Sequence, residues 1–228
     1  MGSRVSFASN GGTCEGYLAT PAEGHGAAVV VIQEWWGLVP HIENVTDRFA
    51  AAGFLALAPD LYHGTKTTSP DTAGRLAMEL SVEQAGRDIA GAGAYLLARN
   101  GCDSTRFGVV GFCMGGALAQ FAATTIPKVA AAASFYGGFK RLRLDYARLH
   151  APLLLFYGGK DEGVPAAEAE PLVERLRQMG KVVEAVVYEK AGHAFFNDER
   201  AEVYDHEASE DAFRRTLAHF RKYLAVGA

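Results

Sequence analysis

Short runs of apolar residues alternate along the chain with longer stretches in which apolar residues recur at helical spacing. The run at residues 27–32, Ala-Ala-Val-Val-Val-Ile, contains no polar side chain. Strands that are apolar throughout are typical of a parallel sheet that helices cover on both faces. The pattern predicts strands at residues 27–32, 54–58, 107–110, 130–136, 153–157 and 182–188.

The segments between these strands have the spacing of amphipathic helices. An earlier segment, residues 5–19, differs because short alternating stretches flank Asn10-Gly11-Gly12, which is a hairpin signal. Alternating strands and helices predict an α/β protein with a doubly wound, mostly parallel sheet and an N-terminal antiparallel hairpin. Ligands of such sheets bind beyond the carboxyl ends of the strands. The predicted helices span residues 41–52, 71–99, 114–124, 166–179 and 205–224.

The composition narrows the range of functions. The 228 residues show no internal repeat and no shift in composition, so we expect a single domain over residues 1–228. A formal net charge of −4 gives no indication of nucleic acid binding. No apolar run reaches the roughly 20 residues that span a bilayer, so we expect no membrane partner. Three cysteines, an odd and low count, favour a reducing compartment, and we expect a cytoplasmic location.

The stretch Gly111-Phe112-Cys113-Met114-Gly115 carries the most specific chemistry. It joins a predicted strand to a predicted helix and matches the nucleophile-elbow pattern G-x-S-x-G, with cysteine in place of serine. Small residues are needed there because the turn around the nucleophile is tight. We expect the Met114 backbone N–H to stabilise an oxyanion. The alternative, a small buried cysteine, applies better to Cys14 and Cys102, which lack this context.

A thiol nucleophile requires a base and a group that orients the base. In this kind of fold the acid follows the nucleophile along the chain and the histidine follows the acid. Asp161 lies in the loop after the predicted strand 153–157, and His193 follows the strand 182–188. Asp161 could instead close a turn or cap the next helix, and Glu162 lies beside it. The six other histidines follow no such strand.

A second carboxylate follows the first core strand. Glu34 lies beside Trp35 and Trp36, although an exposed loop glutamate would also fit this position. Together with the motifs around Cys113, Asp161 and His193, this segment makes the chain resemble the dienelactone hydrolase family over almost its whole length. The matching motifs are Gln33-Glu34-x-x-Gly37, Pro59-Asp60-Leu61-Tyr62, Gly111-Phe112-Cys113-Met114-Gly115-Gly116, Gly158-Gly159-Lys160-Asp161 with Pro165, and Gly192-His193-x-Phe195.

The resemblance implies an α/β-hydrolase fold and a substrate with an endocyclic ester. It implies that Cys113, Asp161 and His193 form a catalytic triad acting through an acyl-thioester, with no metal and no other cofactor. It also implies that Glu34 hydrogen-bonds the resting thiol and accepts its proton when substrate binds. The Trp35 backbone N–H would then be the second oxyanion donor.

The chain departs from the family where two arginines hold the carboxylate of dienelactone. One of these arginines lies four residues after the histidine in the family, and here that position is Asn197, followed by the acidic residues Asp198 and Glu199. Arg75 is the nearest candidate for the other arginine. We therefore expect a neutral ester or lactone to be a better substrate than dienelactone. The expected substrate-binding residues are Trp36, Tyr62, Arg75, Tyr136 and Phe195.

Three alternatives remain for the function. The chain could be a carboxymethylenebutenolidase that acts on dienelactone itself. It could be a non-catalytic ligand-binding relative, because a fold alone does not secure an activity. Cys113 could also be a peroxide-sensing thiol, although no resolving cysteine lies near it in the sequence. The sequence does not specify an oligomeric state.

Overall fold

A computed structural model describes residues 2–224, and an eight-stranded sheet forms its centre. The strands order as β1-β2-β4-β3-β5-β6-β7-β8, with antiparallel pairing from β1 to β4 and parallel pairing from β4 to β8. The predicted fold class is confirmed. The strands are β1 Ser3–Ser9, β2 Gly12–Ala19, β3 Ala27–Ile32, β4 Phe54–Pro59, β5 Phe107–Phe112, β6 Val129–Phe135, β7 Leu153–Gly158 and β8 Val183–Tyr188.

Helices cover both faces of the sheet. One apolar cluster includes Ile89, Leu118 and Leu176, and the cluster on the opposite face includes Phe49 and Phe220. None of the helices within residues 2–224 combines the length and the apolar character that a bilayer crossing needs. The α-helices are α1 Pro40–Ala51, α2 Pro70–Glu79, α3 Val82–Leu97, α4 Met114–Thr125, α5 Ala169–Gln178 and α6 His206–Leu224.

The hairpin turn follows from two residues with positive φ. Asn10 has a φ of 54° and Gly11 a φ of 75°. Two consecutive left-handed residues form the turn whose twist matches that of the strands it joins, and asparagine and glycine adopt this conformation at least cost. The paired strands β1 and β2 then extend the sheet beyond β4.

The predicted helix at residues 71–99 is wrong in one respect, because it is two helices. α2 ends at Glu79, because the next residue, Leu80, has a ψ of 123° that is not helical. Ser81 then caps α3, and its hydroxyl accepts a hydrogen bond from the Gln84 N–H at 3.2 Å. Apolar residues keep their helical spacing across this break, so the periodicity alone did not indicate it. The predicted helix at residues 166–179 begins with a 3-10 turn, Ala166–Glu168, before α5.

Candidate active site

Cys113 lies between β5 and α4 in a strained backbone conformation, with φ 55° and ψ −120°. Glycines on either side allow this turn. A Cβ atom on Gly111 would lie 1.9 Å from the carbonyl oxygen of Gly115, and one on Gly115 would lie 2.3 Å from that of Gln33. Both distances are far below any van der Waals contact. The turn therefore requires glycine at these positions, as the elbow pattern predicts.

The elbow aims the start of α4 at the cysteine. Met114 is the first residue of α4, so its N–H has no acceptor within the helix. The positive end of the helix dipole also lies beside Cys113. This geometry suits stabilisation of negative charge on sulfur or on an oxygen bound nearby. The Cys113 side chain is half-buried, and it lines the large cavity described below.

His193 and Asp161 form a close pair beside the cysteine. His193 Nδ1 lies 2.7 Å from Asp161 Oδ2. The other carboxylate oxygen of Asp161 accepts hydrogen bonds from the backbone N–H groups of Gly163, at 2.8 Å, and Val164, at 2.9 Å. Asp161 therefore closes a turn with one oxygen and orients His193 with the other, so the two interpretations of this residue are compatible.

The pKa values of this pair shift in the directions expected of an ion pair. Burial alone would lower the pKa of His193, but hydrogen bonding to Asp161 and to Cys113 raises it to about 10. Burial would raise the pKa of Asp161, but the hydrogen bond with His193 and those from the loop backbone lower it. His193 is therefore an imidazolium at neutral pH, with its charge beside Cys113.

Glu34 is buried rather than exposed, with 1% of its surface accessible. Its Oε2 atom accepts a hydrogen bond from Asn197 Nδ2 at 3.0 Å, and its Oε1 atom has no hydrogen-bond partner. The resemblance implied a hydrogen bond between Glu34 and the resting thiol. No such bond is present among the described residues, although both side chains line the same cavity.

A cavity of about 630 Å³ gathers the predicted reactive groups. Its walls include Glu34, Cys113, Asp161 and His193, which come from four separate loops at the carboxyl ends of strands. This is the edge of the sheet at which ligands were expected. Among the other predicted site residues, the wall also contains Met114, Trp35 and Trp36.

Four predicted substrate-binding residues lie outside this wall. Tyr136 and Phe195 are fully buried in the core. Phe195 packs edge-on against Tyr136, with the ring centres 5.2 Å apart. The Tyr62 hydroxyl lies 3.5 Å from Met114 Sδ, next to the elbow. Arg75 is exposed on α2. The wall of this cavity does not include these four side chains, and their contact with substrate remains a prediction.

Three cations in the wall were not identified from the sequence. They are Lys140, Lys160 and Arg200, and the Arg200 guanidinium lies 5.8 Å from the centre of the Trp36 ring. Arg200 also pairs with Glu202 at 2.8 Å. Lys160 adjoins Asp161 and belongs to the Gly158-Gly159-Lys160-Asp161 motif, which by itself predicts no role for the lysine. Nothing in the spacing of Arg200 marked it as a cavity residue.

The acidic residues after Asn197 point away from the cavity. Asp198 lies 3.1 Å from Nδ1 of the buried His41, and Glu199 accepts a hydrogen bond from Asn44 at 3.4 Å. Both contacts attach this loop to α1. Neither carboxylate is part of the described cavity wall, so an anionic substrate bound there would not contact them.

The strand order, the elbow and the His–Asp pair together define an α/β hydrolase. A sequence model of the dienelactone hydrolase family matches residues 14–224. Protein usf of Aquifex pyrophilus is 36% identical over 231 residues, covering 98% of this chain and all 100% of that protein. A protein of Escherichia coli K12, provisionally named carboxymethylenebutenolidase, is 33% identical and covers 96% of this chain and 86% of its own length. This chain belongs to the dienelactone hydrolase family and is a carboxylic ester hydrolase.

Solved structures agree with this assignment. A Klebsiella pneumoniae protein, provisionally described as a dienelactone hydrolase, superposes with a TM-score of 0.88 at 31% identity. The match covers 98% of this chain and 99% of that one. A dienelactone hydrolase-like promiscuous phosphotriesterase, P91 from metagenomic libraries, has a TM-score of 0.86 at 22% identity, which supports the fold alone.

Proposed function

We propose that this hydrolase cleaves a neutral ester or lactone through an acyl-thioester on Cys113. The observation that carries the proposal is the 2.7 Å contact between His193 Nδ1 and Asp161 Oδ2, on a histidine that shares a cavity with the cysteine of a strained elbow. Such an arrangement of nucleophile, base and orienting acid is the general requirement for nucleophilic catalysis by a side chain.

Acylation begins with the transfer of the Cys113 thiol proton to Glu34. The unpartnered Oε1 atom of Glu34 is available to receive this proton. The sulfur then attacks the substrate carbonyl, and the positive charge of His193 stabilises negative charge in the cavity. The tetrahedral oxyanion accepts hydrogen bonds from the N–H groups of Met114 and Trp35.

Collapse of this intermediate breaks the ester C–O bond and leaves the acyl group on sulfur. His193 donates its proton to the departing alkoxide, as its raised pKa allows at neutral pH. The neutral imidazole then takes a proton from water, which attacks the thioester. Removal of that proton from water restores the His193 imidazolium, the C–S bond breaks to release the acid, and the Cys113 thiolate recovers its own proton from Glu34.

The preference for a neutral substrate rests on the residues at the arginine positions. Asn197 is buried and its amide is engaged with Glu34, while Arg75 lies outside the cavity wall. Arg200 offers a positive charge, but it is exposed to solvent and pairs with Glu202. An exposed ion pair contributes only about 0–1 kcal/mol, so we expect weak selection for a carboxylate.

Action on dienelactone itself is the second candidate. It is favoured by the three cations Lys140, Lys160 and Arg200 in the cavity wall and by the provisional names of several relatives. A non-catalytic binding role and a peroxide-sensing role for Cys113 have no comparable support in the geometry.

A chromogenic ester assay with matched cysteine variants tests the proposal. Cys113→Ala should lose turnover by orders of magnitude while its circular dichroism spectrum is retained. Cys102→Ala should turn over at the wild-type rate, because the Cys102 thiol contacts Ser104 and does not line the active-site cavity. Iodoacetamide should inactivate the wild type and the Cys102→Ala variant alike. Equal losses in the two alanine variants would contradict the proposal.

A further inference from the structure

A second group of reactive side chains lies apart from the active-site cavity. Cys14 is on β2, His63 is in the turn after β4, and Asp88 is on α3. One ligand atom from each of the three residues lies within 4.8 Å of those of the other two. None of the three lines the wall that contains Cys113. The fold therefore brings a thiol, an imidazole and a carboxylate together from three separate elements.

The carboxylate of Asp88 is buried and only half satisfied. Its exposed fraction is 1%, and its Oδ1 atom accepts a hydrogen bond from Ser9 Oγ at 2.5 Å. Its Oδ2 atom makes no hydrogen bond, and it lies 3.1 Å from His63 Nε2. A buried carboxylate oxygen without a hydrogen bond is costly unless an ion compensates it. This oxygen thus faces the imidazole without a hydrogen bond, and a cation held between the two groups would compensate its negative charge.

The turn that carries His63 is built to hold the imidazole in place. His63 has a φ of 49°, a conformation that side-chain-bearing residues seldom adopt. The Asp60 carboxylate accepts hydrogen bonds from the N–H groups of Tyr62, at 3.1 Å, and Gly64, at 2.7 Å. Both neighbours of His63 are therefore fixed. The imidazole is 39% exposed, so an ion can reach the group from this side.

We propose that Cys14, His63 and Asp88 form a binding site for a divalent transition metal with the ligand preferences of zinc. Thiolate, imidazole and carboxylate are the three ligand types that zinc uses in proteins. Calcium and magnesium prefer oxygen ligands alone, so the sulfur selects against them. Water completes the coordination. On binding, the S–H bond of Cys14 breaks, the proton leaves to solvent, and a sulfur–metal bond forms without any change of oxidation state.

Neighbouring side chains complete the site. The hydrogen bond from Ser9 orients the Asp88 carboxylate, as residues outside a metal's direct ligands commonly do. Gln84 Nε2 lies 3.0 Å from His63 Nε2 and would move aside when that nitrogen binds the metal. A bound ion would join β2, the turn and α3, and so stabilise the folded chain in proportion to the free metal concentration.

The test uses the full chain with the active-site cysteine replaced, so that a second thiol in a cavity cannot contribute to the metal signal. Metal-depleted Cys113→Ser protein is titrated with Co²⁺, whose bond to a thiolate gives a charge-transfer absorption band. We expect one equivalent of Co²⁺ to bind with this band, and Zn²⁺ to displace it. Failure of the folded protein to bind either ion would overturn the proposal.

Matched variants in the same background identify the ligands. Cys14→Ser should remove the charge-transfer band, and His63→Asn and Asp88→Asn should each weaken Co²⁺ binding about 100-fold or more. Cys102→Ser is the control and should bind like the parent. His63→Asn keeps the test valid even if Cys14→Ser does not fold, because asparagine tolerates the positive φ and the side chain is partly exposed. Binding that is unchanged in His63→Asn would contradict the assignment.

Discussion

Asn197 donates a hydrogen bond from Nδ2 to Oε2 of Glu34 over 3.0 Å, and both side chains are buried. The amide oxygen of Asn197 in turn accepts a hydrogen bond from the Glu199 N–H at 3.2 Å. The family resemblance implied an arginine for the substrate carboxylate at this position. In this chain the residue at this position, Asn197, instead hydrogen-bonds to Glu34, which we propose as the proton acceptor for the thiol.

Removing either member of this pair should slow acylation more than it weakens binding. Asn197→Ala leaves one oxygen of Glu34 without its donor, and a hydrogen bond to a charged group contributes about 1.5–3 kcal/mol. We expect kcat to fall roughly 10- to 100-fold with a small change in KM. Glu34→Gln, which removes the proton acceptor, should act in the same direction. Stopped-flow measurement of the acylation phase checks both variants.

Asn44→Ala is the matched control for Asn197→Ala. Asn44 contacts the same loop through Glu199, at 3.4 Å, but it is exposed on α1 and does not line the active-site cavity. The acylation rate of the Asn44→Ala variant should equal that of the wild type. An unchanged acylation rate in Glu34→Gln would show that Glu34 is only structural.

The raised pKa of His193 should appear as a pH-dependent stability. Between the ordinary value of 6.5 and about 10, the folded chain holds a proton that the unfolded chain has lost. The free energy of unfolding should therefore fall as pH rises through this window, and below pH 6.5 the contribution should be complete. Urea unfolding of the wild type and of His193→Gln measures the effect, which the variant should lack.

His219 provides a control of opposite sign. Burial lowers its pKa from 6.5 to about 4. His219→Gln should therefore change the pH dependence of stability only between about 4 and 6.5, where the unfolded chain binds the additional proton. Curves for wild type and His193→Gln that run parallel from pH 6.5 to 10 would contradict the ion pair.

The elbow should tolerate no side chain at Gly115. A Cβ there would lie 2.3 Å from the Gln33 carbonyl oxygen, which is backbone and has little freedom to move. We expect Gly115→Ala to destabilise the fold by roughly 1–3 kcal/mol and to abolish turnover. Gly74→Ala, in α2, is the control because its Cβ would make an ordinary contact of 3.9 Å with Trp35. Thermal unfolding should show Gly74→Ala at least as stable as wild type.

Substrate charge separates the two candidate activities. We expect kcat/KM for a neutral lactone to exceed that for dienelactone, because Arg200 is solvent-exposed and Asn197 is engaged elsewhere. Arg200→Gln should then change the neutral reaction little, and Arg75→Gln should act as a distant control. A preference for dienelactone that disappears in Arg200→Gln would show that a carboxylate site exists at this new position.

The features that could be predicted from the sequence are those in which local residues determine local structure. The elbow around Cys113 depends on glycines within a few positions, and the loops with Asp161 and His193 each follow an apolar strand. Those motifs therefore predicted which loops meet at one edge of the sheet, and the structure brings their side chains into one cavity. The catalytic roles remain predictions.

The features that could not be predicted depend on long-range contacts. Glu34 and Asn197 are 163 positions apart, so no spacing links them. The metal-binding side chains that we propose come from three elements, and Cys14 taken alone fits a buried structural cysteine. Aromatic residues near strand ends suggested a pocket, yet Tyr136 and Phe195 are in the core, because sequence does not distinguish the two environments.

The most direct test of the account is the identification of the residue that carries the acyl group. The enzyme is mixed with a slowly deacylating neutral chromogenic ester, quenched in acid and digested, and the peptides are analysed by mass spectrometry. We predict a single acylated site, on the peptide that contains Cys113, and we expect the fraction of acylated chains to rise towards one when His193 is replaced by glutamine and deacylation slows. An acyl group on a serine or a histidine, or full turnover in Cys113→Ala, would contradict the account.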